Sequence, residues 1–271
     1  MGSGSARPTP SLAKASLTGD DPASGRLWGD AMSFVKKIST RALYIQVRDH
    51  LAQQIARGVL KPGTPLPSEL ELADQLGVSL GTLRKGLEAL ENERLITRRQ
   101  GSGTYVRDHA ADMRFTFDNL RTKDGAIIPF TVQFLGAASG PATVEEQEHL
   151  QLETPERVAR CQQVRHHEGP FLFEQISLAA SRFAGFDPTK LGSPYRIAVL
   201  AQEHGVLVGS ASESVEIWCG NAEVSAWLQV DPETPLLRLD RVIYSLGRVP
   251  LEWRIGYCRM TAVKYVTTLR S

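Results

Sequence analysis

Apolar positions recur along this chain with two different periods, and the change of period divides it. Between residues 39 and 57, Tyr44, Val47, Leu51 and Ile55 fall on one side of a helix, as a 3.6-residue turn requires. Ser39 or Thr40 stands where its N-cap belongs, Gly58 stands where it stops, and Lys61-Pro62-Gly63 turns the chain. Ser68 opens a second helix, with Glu71 three residues on as in a capping box. Leu72, Ala73 and Leu76 form its inner face and Gly77 ends it. Ser79 caps a third helix with the stripe Leu83, Leu87 and Leu90. Two helices separated only by Gly77 and Val78 form a helix-turn-helix pattern. Residues 95–98 and 104–107 then read as two short strands around Gln100-Gly101-Ser102-Gly103, a hairpin with a flexible basic tip.

Beyond a polar stretch at 108–126, which reads as a linker, the pattern shifts to strands broken by Pro/Gly turns. Strands are predicted at 128–136, 157–167, 171–180, 206–218, 235–245, 249–259 and 263–269, and helices at 143–150, 194–204 and 222–228. Strands outnumbering helices indicate an α+β domain over 127–271, behind a winged helix-turn-helix unit over 33–107. Residues 1–32 are rich in Gly, Ser, Pro and Ala and lack apolar periodicity, so they read as a disordered leader or tag remnant, with Met32 as an alternative start.

Charge sharpens this division. The chain as a whole carries +1, but residues 33–107 hold 12 Lys+Arg against 7 Asp+Glu, whereas 108–271 hold 16 against 20. A basic first unit on a near-neutral chain points to a polyanion partner for that unit alone. The three cysteines, Cys161, Cys219 and Cys258, are too few and too scattered for a disulfide framework or a paired-cysteine metal site. A reducing, cytoplasmic location follows, and the absence of a long apolar run argues against a membrane partner.

The stretch from Gly58 to Val106 resembles the DNA-binding domain of the GntR family of bacterial regulators. The resemblance rests on Leu60-Lys61-Pro62-Gly63, Leu66-Pro67-Ser68-Glu69-Leu70-Glu71-Leu72-Ala73, Leu76-Gly77-Val78-Ser79, Thr82-Leu83-Arg84-Lys85, and Arg98-Arg99-Gln100-Gly101-Ser102-Gly103-Thr104-Tyr105-Val106. It implies a recognition helix entered at Ser79, Leu80, Gly81 and Thr82, with Arg84 and Lys85 one turn on. Ser68 and Glu69 lie at the preceding helix start, and the wing spans Arg98, Arg99, Gln100, Gly101, Ser102 and Gly103. The physical reading agrees: small residues and free N–H groups at a helix N-terminus admit close approach to DNA, and arginines reach phosphates or guanine. The chain departs from the family pattern at Leu70, where Arg is frequent, and at Leu80-Gly81, where Arg-Thr is frequent. Leu80 suits either contact with a thymine methyl or packing beside Leu83.

The second unit holds an internal echo. Gly169-Pro170 leads into a strand carrying Glu174, and Gly247-Arg248-Val249-Pro250 leads into one carrying Glu252. Acids among apolar strand residues need partners, for which Arg165, Arg254 and Arg259 stand nearby. These turns, with Ser193-Pro194-Tyr195-Arg196 and Val230-Asp231-Pro232-Glu233-Thr234-Pro235-Leu236-Leu237, resemble the UTRA effector domain of the HutC-type GntR branch, which has a chorismate-lyase-like antiparallel fold. The resemblance implies an effector site at Arg165, Glu174, Ser177, Glu252, Arg254 and Tyr257. Two departures weigh against a sugar-phosphate effector: Gln163-Val164-Arg165 replaces an Arg-x-Arg, and Cys258 precedes Arg259 where Tyr is usual.

The expectation is a ligand-responsive repressor that binds a palindromic double-stranded operator as a homodimer and takes a small polar effector, with no cofactor and no metal. His166 and His167 lack a third ligand at useful spacing. A regulator without an effector is one alternative, and an all-helical metal-binding sensor is opposed by the strand pattern. A catalytic second domain is another. It is disfavoured because only Lys123, Lys190 and Lys264 follow residue 108, none in a suggestive motif, and no Ser-His-Asp order or phosphate loop appears.

Overall fold

The computed structural model describes residues 41–113, 118–153, 156–183, 185–186, 197–261 and 263–267. The proposed leader, the Ser39/Thr40 cap and Ser193-Pro194-Tyr195-Arg196 lie outside the described residues.

Three helices and a hairpin form the first unit: α1 (Leu43–Ala56), α2 (Glu69–Leu76), α3 (Leu80–Asn92), β1 (Ile96–Arg99) and β2 (Gly103–Val106). Val47, Leu51 and Ile55 are buried as the periodicity requires, but Tyr44 is exposed. The helix begins only at Leu43 with Ala42 as N-cap, so its first turn projects beyond the core. Ser68 makes the predicted capping box with Glu71, and Gly77 closes α2 in the left-handed conformation at φ 63°. Gly86 lets α3 meet α1. A Cβ there would stand 2.8 Å from Val47 Cγ1 and 3.2 Å from the Tyr44 carbonyl oxygen. The hairpin pairs Ile96 with Val106, and the chain before α2 adds to it: Leu66 N–H donates to Thr104 O and Val106 N–H to Thr64 O.

The stretch read as a bare linker contains a short helix α4 (His109–Asp112) and a strand β3 (Leu120–Thr122) that pairs with β10 (Val263–Tyr265). Both escape a periodicity reading because neither is long enough to show two full repeats of its pattern. The remainder is a six-stranded antiparallel sheet of β4 (Thr131–Pro141), β5 (Arg157–His166), β6 (Pro170–Ala179), β7 (Val208–Cys219), β8 (Pro235–Ser245) and β9 (Pro250–Cys258). Its order is β4-β5-β6-β9-β8-β7, so the two strands that follow the echoed turns lie side by side at its centre. Helices α5 (Val144–Leu150) and α7 (Ala222–Leu228) pack on one face, and α6 (Ile197–Glu203) packs on the other. Strand β4 runs later than expected, at 131–141 rather than 128–136, because its register is fixed by pairing Thr131 with His166 and Pro141 with Arg157. No helix among the described residues is long and apolar enough to cross a membrane.

The two units touch. Leu207, at the entry to β7, is buried in the three-helix core, and Leu246, in the β8–β9 turn, packs against that core. Leu246 N–H donates to Leu207 O at 3.0 Å, which binds the two contact points together.

Candidate nucleic-acid interface and effector site

Ser79 caps α3, accepting from Thr82 N–H and sharing a 2.8 Å hydrogen bond with the Thr82 hydroxyl. Gly81 is exposed with no atom within 4 Å of where a Cβ would stand, and Arg84 and Lys85 are exposed on the same helix. Leu80 is half-buried against the three-helix core. The structure also supplies two supports that the sequence did not disclose. Arg84 Nε donates to Glu69 Oε2 at 2.7 Å, tying the start of α2 to α3. Arg99 lies 4.6 Å from the centre of the Tyr105 ring, while the Tyr105 hydroxyl donates to Ser102 O. Ring and hydroxyl therefore brace the wing, whose tip uses Gly101 at φ 71° and Gly103 at φ 114°. Arg98 pairs with Glu91 of α3 at 3.6 Å and keeps an exposed side chain. Gln100 and Ser102 are exposed at the tip. Both exposed ion pairs lie in high dielectric, where they are weak.

In the second unit, alternation along paired strands sorts the proposed effector residues. Arg165, Glu174, Glu252 and Arg254 come together on the face that carries α6. Ser177 and Tyr257 are odd-numbered on strands whose even-numbered residues build that cluster, so they project to the opposite face. There Ser177 donates to Glu146 and Tyr257 packs against Trp218 and Phe173.

Glu174 is the centre of the cluster. Arg165 donates to it through Nε at 2.8 Å and Nη2 at 3.0 Å, Arg254 through Nη1 at 2.9 Å, and Gln163 through Nε2 at 2.6 Å. Burial pushes its carboxyl up, but the two guanidinium groups and these hydrogen bonds outweigh burial and hold it at about 2. Arg165 also donates to Asp118 at 2.8 Å, and Arg254 to Glu252 Oε1 at 2.8 Å. Glu213 and Arg241 pair beside the cluster and line the same small space. That space measures about 10 Å³, roughly one water's worth. One acceptor stays unused: Glu252 Oε2 is buried and has no hydrogen-bond partner among the described residues. Parity along β7 and β8 could have placed Glu213 and Arg241 on this face. Asp118 had no such signal, because it is 47 residues from Arg165 in the stretch read as linker.

Burial pushes the thiols of Cys161 and Cys258 up to about 12, which removes them as nucleophiles. Among the described residues, no group of three or more His, Cys, Asp and Glu is placed to hold a metal.

Comparison with known proteins agrees with both halves. Residues 43–106 match the profile "Bacterial regulatory proteins, gntR family", and residues 129–264 match the UTRA domain. The chain is 26% identical over 245 residues to an Escherichia coli O157:H7 protein named "Probable fructoselysine utilization operon transcriptional repressor", covering 86% of this chain and 96% of that protein. Among solved structures, a ligand-binding domain of a GntR-family transcriptional regulator from Bordetella bronchiseptica aligns with a TM-score of 0.53 at 24% identity, over 58% of this chain and 99% of that one. YydK from Bacillus subtilis aligns at 0.50 and 19% identity, over 85% of this chain and all of that one, so the shared fold extends through both units. The chain therefore belongs to the GntR family of bacterial transcription regulators, in the HutC-type branch that carries a UTRA domain.

Proposed function

We propose that the protein is a cytoplasmic repressor that binds a palindromic operator as a homodimer and is controlled by a small polar effector at the Glu174 cluster. The first unit reads DNA through Ser79, Leu80, Gly81, Thr82, Arg84 and Lys85 in the major groove. Ser68, Glu69 and the wing residues Arg98, Arg99, Gln100, Gly101, Ser102 and Gly103 contact the backbone or minor groove. Two-fold symmetry would set the recognition helices about 34 Å apart.

The observation that carries the effector reading is Glu252 Oε2, a buried acceptor with no partner among the described residues, beside a ring of ion-paired side chains. A buried carboxylate oxygen without a donor is costly, and a ligand that supplies one removes the cost. Asp118, Glu174 and Glu213 balance Arg165, Arg241 and Arg254 around the space, and Glu252, bonded to Arg254 outside that lining, leaves the cluster with one surplus acid. It therefore favours an effector bearing an amine or hydroxyl donor over a phosphate monoester, as the single Arg165 in place of an Arg-x-Arg also suggests. The tightness of the space means that binding must part the Arg165–Glu174–Arg254 clasp.

Coupling would run along β9. Glu252 lies close to Pro250, which leaves the turn whose Leu246 packs on the three-helix core beside Leu207. A ligand that shifts β9 shifts that contact, and its differential affinity for the two arrangements sets the change in DNA affinity.

The test combines a thermal-shift screen of the full chain with operator binding. The screen covers amino acids, amines, sugars and sugar phosphates. Expected is a stabilising donor-bearing compound that alters operator affinity, with both effects lost in Glu252→Ala. A sugar phosphate that acts equally on wild type and Glu252→Ala would refute the assignment.

A further inference from the structure

A second cavity lies apart from the Glu174 cluster. It lies on the opposite face of the sheet, the one that carries α5 and α7, measures about 550 Å³, and sits between β4 and the first turn of α5, over β5, β6 and β9. That volume is within the range of small-molecule sites, at roughly 300–1,000 Å³.

Its walls are already built. Glu146 is buried and accepts from Thr143 N–H at 2.8 Å, Arg160 Nε at 2.6 Å and Ser177 Oγ at 2.9 Å. Arg160 also donates to Pro141 O, so both charges are spent on each other and on the backbone. Trp253 is fixed by its indole N–H on Asp240 at 2.8 Å and by stacking on His149 with ring centres 4.3 Å apart. The floor differs. Gln162 and Gln175 are directly paired across β5 and β6, in register with Ile255 of β9. Both line the cavity, and neither amide is hydrogen-bonded to a described residue.

From this arrangement we propose a second ligand site, separate from the Glu174 cluster, that takes an uncharged small molecule rich in hydroxyl groups, such as a sugar or cyclic polyol. Each free amide offers both a donor and an acceptor, and a hydroxyl group needs both. Trp253 and Ile255 supply apolar surface for the carbon frame of such a molecule. An anion would have to displace Glu146 from Arg160, and a cation the reverse, so the spent ion pair selects neutral ligands. This site does not depend on the effector assignment, because it shares no side chain with the charge cluster.

The test is titration of the full-length protein with glucose, N-acetylglucosamine, maltose and myo-inositol, with glucose 6-phosphate as the charged comparison. Two cavity variants are compared with wild type and with Glu174→Gln. Gln162→Leu/Gln175→Leu removes the amides at nearly constant shape, and Ala138→Phe fills the mouth from exposed β4. Thermal melting and operator binding check that each variant folds. Expected is binding of at least one neutral compound with a dissociation constant below about 1 mM. It weakens at least tenfold in both cavity variants and is unchanged in Glu174→Gln. If no neutral compound binds, the proposal is overturned. It is equally overturned if binding survives both cavity variants or is lost in Glu174→Gln, since the compound then occupies the charge cluster.

Discussion

Replacing Glu174 by Gln keeps the shape of the side chain and removes the charge that two buried guanidinium groups share. Arg165 and Arg254 retain Asp118 and Glu252, but their side chains are only 11% and 9% exposed, so water compensates little. The carboxyl falls from an ordinary 4.5 to about 2 on folding. At about 1.36 kcal/mol per unit, that gap is worth about 3 kcal/mol at neutral pH, near the lower edge of the ~3–5 kcal/mol seen when one partner of a buried pair is removed. The unfolded chain takes up the proton at higher pH than the folded one does. The contribution is thus complete above about 4.5 and is lost as pH falls toward 2. A loss of 3 kcal/mol lowers Tm by roughly 6–12 °C for a domain of this size. Calorimetric melts of wild type and Glu174→Gln between pH 7 and 3 should converge as the pH falls. The paired change Arg165→Met/Glu174→Leu should lose clearly less than the sum of its single changes, because it removes one charge of each sign. A Glu174→Gln protein melting within about 2 °C of wild type at pH 7 would refute the reasoning, as would single losses that simply add.

Other outcomes follow from particular contacts. Gly86→Ala should destabilise by about 1–3 kcal/mol in urea unfolding, although Ala is the better helix former, because its Cβ meets Val47 Cγ1 at 2.8 Å; a stabilised variant would show that α1 and α3 separate freely. Arg84→Ala should weaken operator binding by about 1–3 kcal/mol, and a reduced salt slope would assign its contact to phosphate, while unchanged affinity would remove Arg84 from the interface. His109 is buried, its Nε2 bonded to Val208 O at 2.7 Å, and burial lowers its pKa below the ordinary 6.5. The unfolded chain therefore binds the proton first, so amide protection factors, with the intrinsic base-catalysed rate divided out, should fall around α4 and the start of β7 as pH drops below about 6.5. Invariant protection factors between pH 7.5 and 5.5 would contradict this. Leu207→Ala should reduce the effect of an effector on operator affinity more than it reduces either binding event alone, and preserved coupling would place the connection elsewhere.

The sequence by itself determined much of the first unit. Its elements are local: Ser68 caps with Glu71 three residues away, Gly77 ends α2, and the stripe Leu83, Leu87 and Leu90 needs only the helical period to face inward. The strands of the second unit were legible for the same reason, since alternation and Pro/Gly turns are local. The parity that separates Glu174 and Glu252 from Ser177 and Tyr257 was also available in the sequence, given the strand assignments.

What joins distant segments was not legible. Asp118 reaches Arg165 only because β3 pairs with β10 and brings the supposed linker onto the sheet. Leu207 enters the three-helix core from the other unit, and no period in either segment announces that partner. The cavity over Gln162 and Gln175 exists because β5, β6 and β9 are neighbours in the order β4-β5-β6-β9-β8-β7. Periodicity reports which way a side chain points relative to its own element. Which other element it then meets is decided by packing over the whole sheet, and that information belongs to no single stretch of the chain.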